Sequence, residues 1–283
     1  MKKPMIGIQS LIICPEIEKH GIFETMKKCA EIGYRCYEIS QIPMTPDNIA
    51  QMQRAREDLG VRIGAMSALV TPLGSTVGDC VNPFDNLQEN FDKIVADCRA
   101  VGCDTLRIGI LPKEILGSYE DIQAFAKETD VMAKRLKAEG IDMYYHTHHL
   151  EFGKFRGKYV LDIIKENTQH VGFELDTHWI QRGGENPERI IRRYAGRVRL
   201  LHLKDYRINC SKCVEGGWMA PNTIEYAEVG EGNLPMKECI EAGIESGCEY
   251  FFVEQDECYG RTPLESLKIS YDNLVAMGYG DLF

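Results

Sequence analysis

Apolar residues follow two alternating rhythms along this chain. Short runs such as MIGIQS (5–10), VRIGAMSA (61–68) and VGFELD (171–176) read as buried strands, and the stretches between such runs carry helical spacing. In 87–101, LQENFDKIVADCRAV, apolar side chains fall at Leu87, Phe91, Ile94, Val95, Cys98 and Val101, the stripe of a helix lying on a sheet. Residues 121–138 read similarly. A glycine separates helix from strand at EIG-YRCYEIS (31–40), DLG-VRIGAMSA (58–68), AVG-CDTLRIGI (100–110), AEG-IDMYYHTH (138–148) and ESG-CEYFFVEQD (245–256). Glycine just past a helix end supplies a left-handed cap that other residues adopt at a cost. Its recurrence marks βα units, and hence a parallel sheet.

The pattern predicts eight strands, at 5–10, 35–40, 61–68, 105–110, 141–148, 171–176, 198–203 and 250–255. Asn82-Pro83 and Thr262-Pro263 read as proline-assisted helix starts. Eight βα units in 283 residues match a (β/α)8 TIM barrel, typically about 250 residues. An open doubly wound sheet would place a glycine-rich phosphate turn after strand one, whereas strand one here leads into SLIICPEIEKHG. With no interior linker, one domain over residues 1–283 is expected. The longest irregular segment, 205–233, follows strand seven and so falls on the C-terminal face, where barrel enzymes build their sites.

Charge narrows the partners. The chain carries 33 basic against 43 acidic residues, a net −10 that argues against a nucleic-acid partner. No apolar stretch reaches the roughly 20 residues of a membrane helix. Met1-Lys2-Lys3-Pro4 runs straight into a strand pattern without a small-residue cleavage site, so no signal peptide is read. Eleven cysteines without an export signal point to reduced thiols in a cytoplasm. Cys29, Cys36, Cys98, Cys103, Cys239 and Cys248 sit in apolar contexts, as small core residues do. Cys210 and Cys213 form a C-x-x-C in the long loop, but no second pair follows to complete a zinc site, and they read as incidental thiols.

Candidate chemistry gathers at the ends of strands five to eight. Glu151, Asp176, His202 and Glu254 each sit at or just past such an end, where they can converge without being close in sequence. Three carboxylates and one imidazole favour Mn²⁺ or Mg²⁺ and leave Co²⁺ or Zn²⁺ open. A single acidic residue in such a place is as readily a helix cap, so the four together carry the reading. His146 and His148 share one face of strand five, with His149 on the other. They are candidates for proton transfer or for orienting a ligand. His178 and Lys204, each two residues beyond a proposed ligand, are substrate-binding candidates, as are Glu38 and Arg107 on strands two and four.

The segments YHTHHLEF, ELDTHWIQRGGENP, LLHLKD, AEVGEGNLP and FVEQD resemble, in order and spacing, the xylose-isomerase-like TIM-barrel family of sugar phosphate isomerases and epimerases. Inosose dehydratases, C-glycoside deglycosidase barrel subunits and the AP-endonuclease family 2 grouping share that barrel. The resemblance covers essentially the whole chain. It implies that Glu151, Asp176, His202 and Glu254 match the family's metal ligands, usually for Mn²⁺. It also implies that Glu151 and Glu254 match the two proton-exchanging glutamates of the keto-sugar epimerases. Those epimerases place a substrate-binding histidine three residues after the metal aspartate; here Trp179 holds that place and His178 precedes it. The implied substrate is a small carbohydrate, turned over by isomerisation or epimerisation, or by elimination of a β leaving group. A sugar-binding barrel without turnover is the non-enzymatic alternative. A homo-oligomer or a small partner subunit is also within the family's range.

Overall fold

In the computed structural model, which describes residues 3–72, 85–216 and 223–283, eight parallel strands close on themselves. They are β1 (Met5–Gln9), β2 (Cys36–Ile39), β3 (Arg62–Ala68), β4 (Thr105–Ile108), β5 (Asp142–His146), β6 (Val171–Asp176), β7 (Val198–Leu203) and β8 (Tyr250–Val253). Each pairs with its sequence neighbour, and β1 pairs with both β2 and β8 to complete a (β/α)8 barrel.

The five glycines expected to separate helix from strand all take positive φ: Gly33, Gly60, Gly102, Gly140 and Gly247. Gly60 shows the mechanism. It caps the helix Pro46–Leu59 at φ 67°, and the next residues enter β3. Thr262-Pro263 opens the helix Pro263–Leu274 with a full capping box, Thr262 and Glu265 each accepting from the other's backbone N–H. Asn82-Pro83 lies outside the described residues.

The helix expected from residue 87 begins instead at Phe91 and runs to Val101. Asn86 bridges to Leu69 at the end of β3, and the Leu87 N–H donates to the Leu69 carbonyl. Leu87 is therefore buried in the turn that follows this bridge rather than on a helical face. The helix over 121–138 runs from Tyr119 to Ala138.

The segment after β7 is more ordered than its sequence suggests. Asp205–Ile208 pairs antiparallel with Ile224–Ala227 to form an arm over the C-terminal face. Buried Asp205 organises the return of the chain: its carboxylate accepts N–H donations from Tyr206, Gly230, Gly232 and Leu234.

Most of the core lies between the barrel and its helices. A second apolar cluster, Cys36, Ala65, Leu200, Tyr250 and Phe252, fills the bore below the site. Gly64 belongs to this packing, since a Cβ there would come within 3.0 Å of both Cys36 Sγ and the Tyr250 ring. Every described cysteine is a free thiol, and no helix among the described residues is long and apolar enough to cross a membrane. Cys210 is exposed, while the Cys213 side chain lies outside the described residues.

Candidate active site at the barrel mouth

Strand register assembles the site. Asp176 lies beside His202, His202 beside Phe252, and His146 beside Glu174. Side chains two apart on a strand share a face. Glu174 and Asp176 therefore both enter the bore from β6, while His202 enters from β7.

Ligand-type atoms of His146, Asp176, His202 and Glu254 all lie within 4.8 Å of one another, and all four residues are buried. His202 is the hinge of this cluster. Its Nδ1 lies 2.6 Å from Glu254 Oε2 and 3.6 Å from Asp176 Oδ2. Its Nε2 lies 3.0 Å from Glu38 Oε2 and 3.2 Å from Glu174 Oε1. Despite these approaches, His202 Nδ1, Asp176 Oδ2 and Glu254 Oε2 have no aligned hydrogen-bond partner. Buried polar atoms are normally satisfied, so three such atoms converging on one point suit the coordination of a divalent cation.

The field agrees. Burial opposes ionisation of Glu38, but His202 and Arg107 outweigh it and hold the carboxyl low. At Glu254, Lys204 and His202 likewise outweigh burial. Glu174 is pushed up by burial and then by the charge of Glu38, and burial raises Asp176 to about 6. At His202, burial works against the charged ring, yet Glu174, Glu38 and Glu254 raise it well above the ordinary histidine value. His146 goes the other way, driven down by burial and then by Arg107 and His202, which leaves a neutral ring able to donate a lone pair.

Three of the four ligands expected from sequence are brought together here. Glu151 is not. The strand ends at His146, and Glu151 falls on a one-turn helix, Leu150–Phe152, that folds back on it. Its Oε1 accepts from the Tyr145 hydroxyl at 2.6 Å and its Oε2 from the His148 N–H at 2.8 Å. Both oxygens are thus committed to shaping the turn, and His146 fills the fourth corner.

The sequence matches the profile of the xylose isomerase-like TIM barrel over residues 26–268. The chain belongs to that family. It is 23% identical over 265 residues to an inosose dehydratase of Clostridium tetani, covering 89% of this chain and 88% of the relative. A sugar phosphate isomerase/epimerase from Parabacteroides distasonis superposes with a TM-score of 0.76 at 20% identity, over 95% of this chain and 97% of the other. The IOLI protein, solved with a zinc atom, superposes with a TM-score of 0.70 at 14% identity, over 99% of both chains.

In this family member a cavity of about 150 Å³ opens above the cluster. Its lining combines polar side chains, among them Gln9, Arg107, His146, His148, Lys204, Glu254 and Asp256, with Leu11, Ala68, Leu69, Ile110 and Trp179. Arg107 thus borders the cavity, whereas Glu38 is fully buried and lies outside its lining. Lys204 Nζ is 2.7 Å from Asp256 Oδ1 and 3.5 Å from Glu254 Oε1, and it faces the Trp179 and Tyr226 rings. The neighbouring Asp205 is occupied by the loop. His148 packs against His146 and Trp179, and burial followed by the charge of Arg107 pushes it down to about 3.

His178 does not reach this cavity. It is buried among Trp179, Tyr206 and Tyr226 and lines a separate recess with Arg182 and Ile224. Spacing alone does not single out Glu174, Trp179, Gln9 or Asp256 as site residues. Alternation back from Asp176 puts Glu174 on the same face; nothing local marks Trp179 as a cavity wall.

Proposed function

We propose that this protein is a divalent-metal-dependent enzyme that removes a proton α to the carbonyl of a keto-sugar or related sugar derivative. The observation that carries the reading is the convergence of buried ligand atoms from Asp176, His202 and Glu254, which lie close together without aligned hydrogen bonds, beside the neutral ring of His146. Two imidazoles and two carboxylates suit Mn²⁺, Co²⁺ or Zn²⁺ better than the oxygen-only set Mg²⁺ prefers. When bound, such an ion supplies Lewis-acid polarisation of the substrate carbonyl.

The remaining work falls to the chain. Glu254 reaches both the cluster and the cavity, and its ionised carboxylate is placed to take the proton. The Lys204 ammonium lies beside it and can donate to the oxygen on which negative charge grows. His148 carries a neutral ring at the cavity wall, outside the ligand cluster, and can exchange a proton with the substrate. Trp179 closes the cavity with a flat apolar face suited to the C–H surface of a sugar. Return of the proton to carbon gives isomerisation or epimerisation.

Elimination is the second reading. It is favoured by His148, a proton-transfer group independent of the cluster, and by the inosose dehydratase relative. Incubation with keto-sugars in deuterated water, followed by proton NMR, tests both. Deuterium at carbon without net change is the expected minimum, and a dehydrated product would select elimination. Absence of exchange with every keto-sugar offered to metal-loaded protein would end the proposal.

A further inference from the structure

Two groups of ligand atoms share His202. One is the cluster at the cavity floor; the other is Glu38, Glu174 and His202, whose ligand atoms also lie within 4.8 Å of one another. The second group already has a cation. Arg107 Nε lies 3.1 Å from Glu38 Oε1 and 3.0 Å from Glu174 Oε2, and it donates a hydrogen bond to the latter. Glu174 also approaches His146 Nδ1 to 3.2 Å, so one carboxylate stands behind both imidazoles. Around His202, the buried carboxylates of Glu38, Glu174, Asp176 and Glu254 meet two buried side-chain cations, Arg107 and Lys204.

We propose that Arg107, Glu38 and Glu174 are positioning residues for the metal centre. The guanidinium is the permanent cation of the second pocket, which restricts the centre to a single divalent ion. It also holds the two carboxylates where they decide which ring nitrogen His202 turns to that ion. A carboxylate that accepts the distal N–H of a ligating imidazole fixes its tautomer and orientation. For His202, whose Nε2 hydrogen-bonds Glu38 Oε2 at 3.0 Å, this leaves Nδ1 as donor. The inference rests on the metal reading above.

Equilibrium dialysis of the full chain against Mn²⁺ tests it, with circular dichroism to verify folding. The wild type is expected to bind one equivalent. Glu174→Gln, nearly isosteric, is expected to bind about 10–100-fold more weakly. Arg107→Met should lose affinity similarly, while Arg107→Lys, which restores a cation, should recover most of it. If Arg107→Met does not fold, Glu174→Gln and Arg107→Lys still carry the test. In zinc-loaded protein with ¹⁵N-labelled histidine, His202 should show metal on Nδ1 and a proton on Nε2. Wild-type affinity in Glu174→Gln, or two equivalents in the wild type, would overturn the positioning role and leave the metal site standing. A folded wild type that takes up no divalent ion would instead remove the metal reading itself.

Discussion

The two halves of the barrel bore are built from the same strands and differ in almost every property. Cys36, Leu200 and Phe252 belong to the apolar plug, and two residues further along the same strands stand Glu38, His202 and Glu254. A single step of strand alternation converts close-packed apolar volume into a crowd of charge. The plug gains from burial and dispersion, and its side chains satisfy one another. The mouth gathers acids whose ionisation burial opposes, and it is stable only with cations among them. Stability and chemistry are therefore layered along each strand rather than divided between separate regions.

The comparison can be broken first in the plug. Phe252→Ala should cost about 3–5 kcal/mol of unfolding free energy, read from denaturant titration, because it removes a fully buried ring. A cost near zero would mean the plug does not carry the barrel. At the mouth, Asp176→Asn should do the reverse. The amide can still cap the helix Thr177–Arg182, as Asp176 Oδ1 does by accepting the Trp179 N–H at 2.8 Å. Turnover should fall by roughly two orders of magnitude, about 2.7 kcal/mol of barrier, with metal affinity lost and metal-free stability changed far less than in Phe252→Ala. Equal destabilisation by the two variants would erase the distinction between the layers. The smallest effect concerns accessibility. Burial pushes the Cys36 thiol up to about 12, so at pH 8 it should resist a disulfide reagent that modifies exposed Cys210. Rapid modification of Cys36 in folded protein would show that the plug opens.

Much of this is legible in the sequence. Helix–glycine–strand punctuation located the βα units because a left-handed cap is a local demand, met within a few residues at Gly60 or Gly102. Asp176, His202 and Glu254 were legible because they lie on a strand or immediately after it, where alternation fixes the side chain's face. Glu151 lay beyond the reach of that logic. It follows a turn whose path depends on the Tyr145 hydroxyl and the His148 N–H, and neither contact has a signature in the spacing. Arg107 and Glu38 were visible as polar residues on inner strands, but spacing did not show that Glu38 and a third strand's Glu174 are partners of the one guanidinium.

Sequence by itself determined the barrel, the strand order along the chain and three corners of the candidate metal cluster, since each follows from periodicity and caps acting over short distances. Only the tertiary structure brings His146, rather than Glu151, beside Asp176, His202 and Glu254, sets His178 in a recess with Arg182 and Ile224, and pairs Arg107 with Glu38 and Glu174. Those outcomes depend on which side chains from distant strands meet in a space with no water to satisfy them. There a charge finds a partner across the bore or is not tolerated.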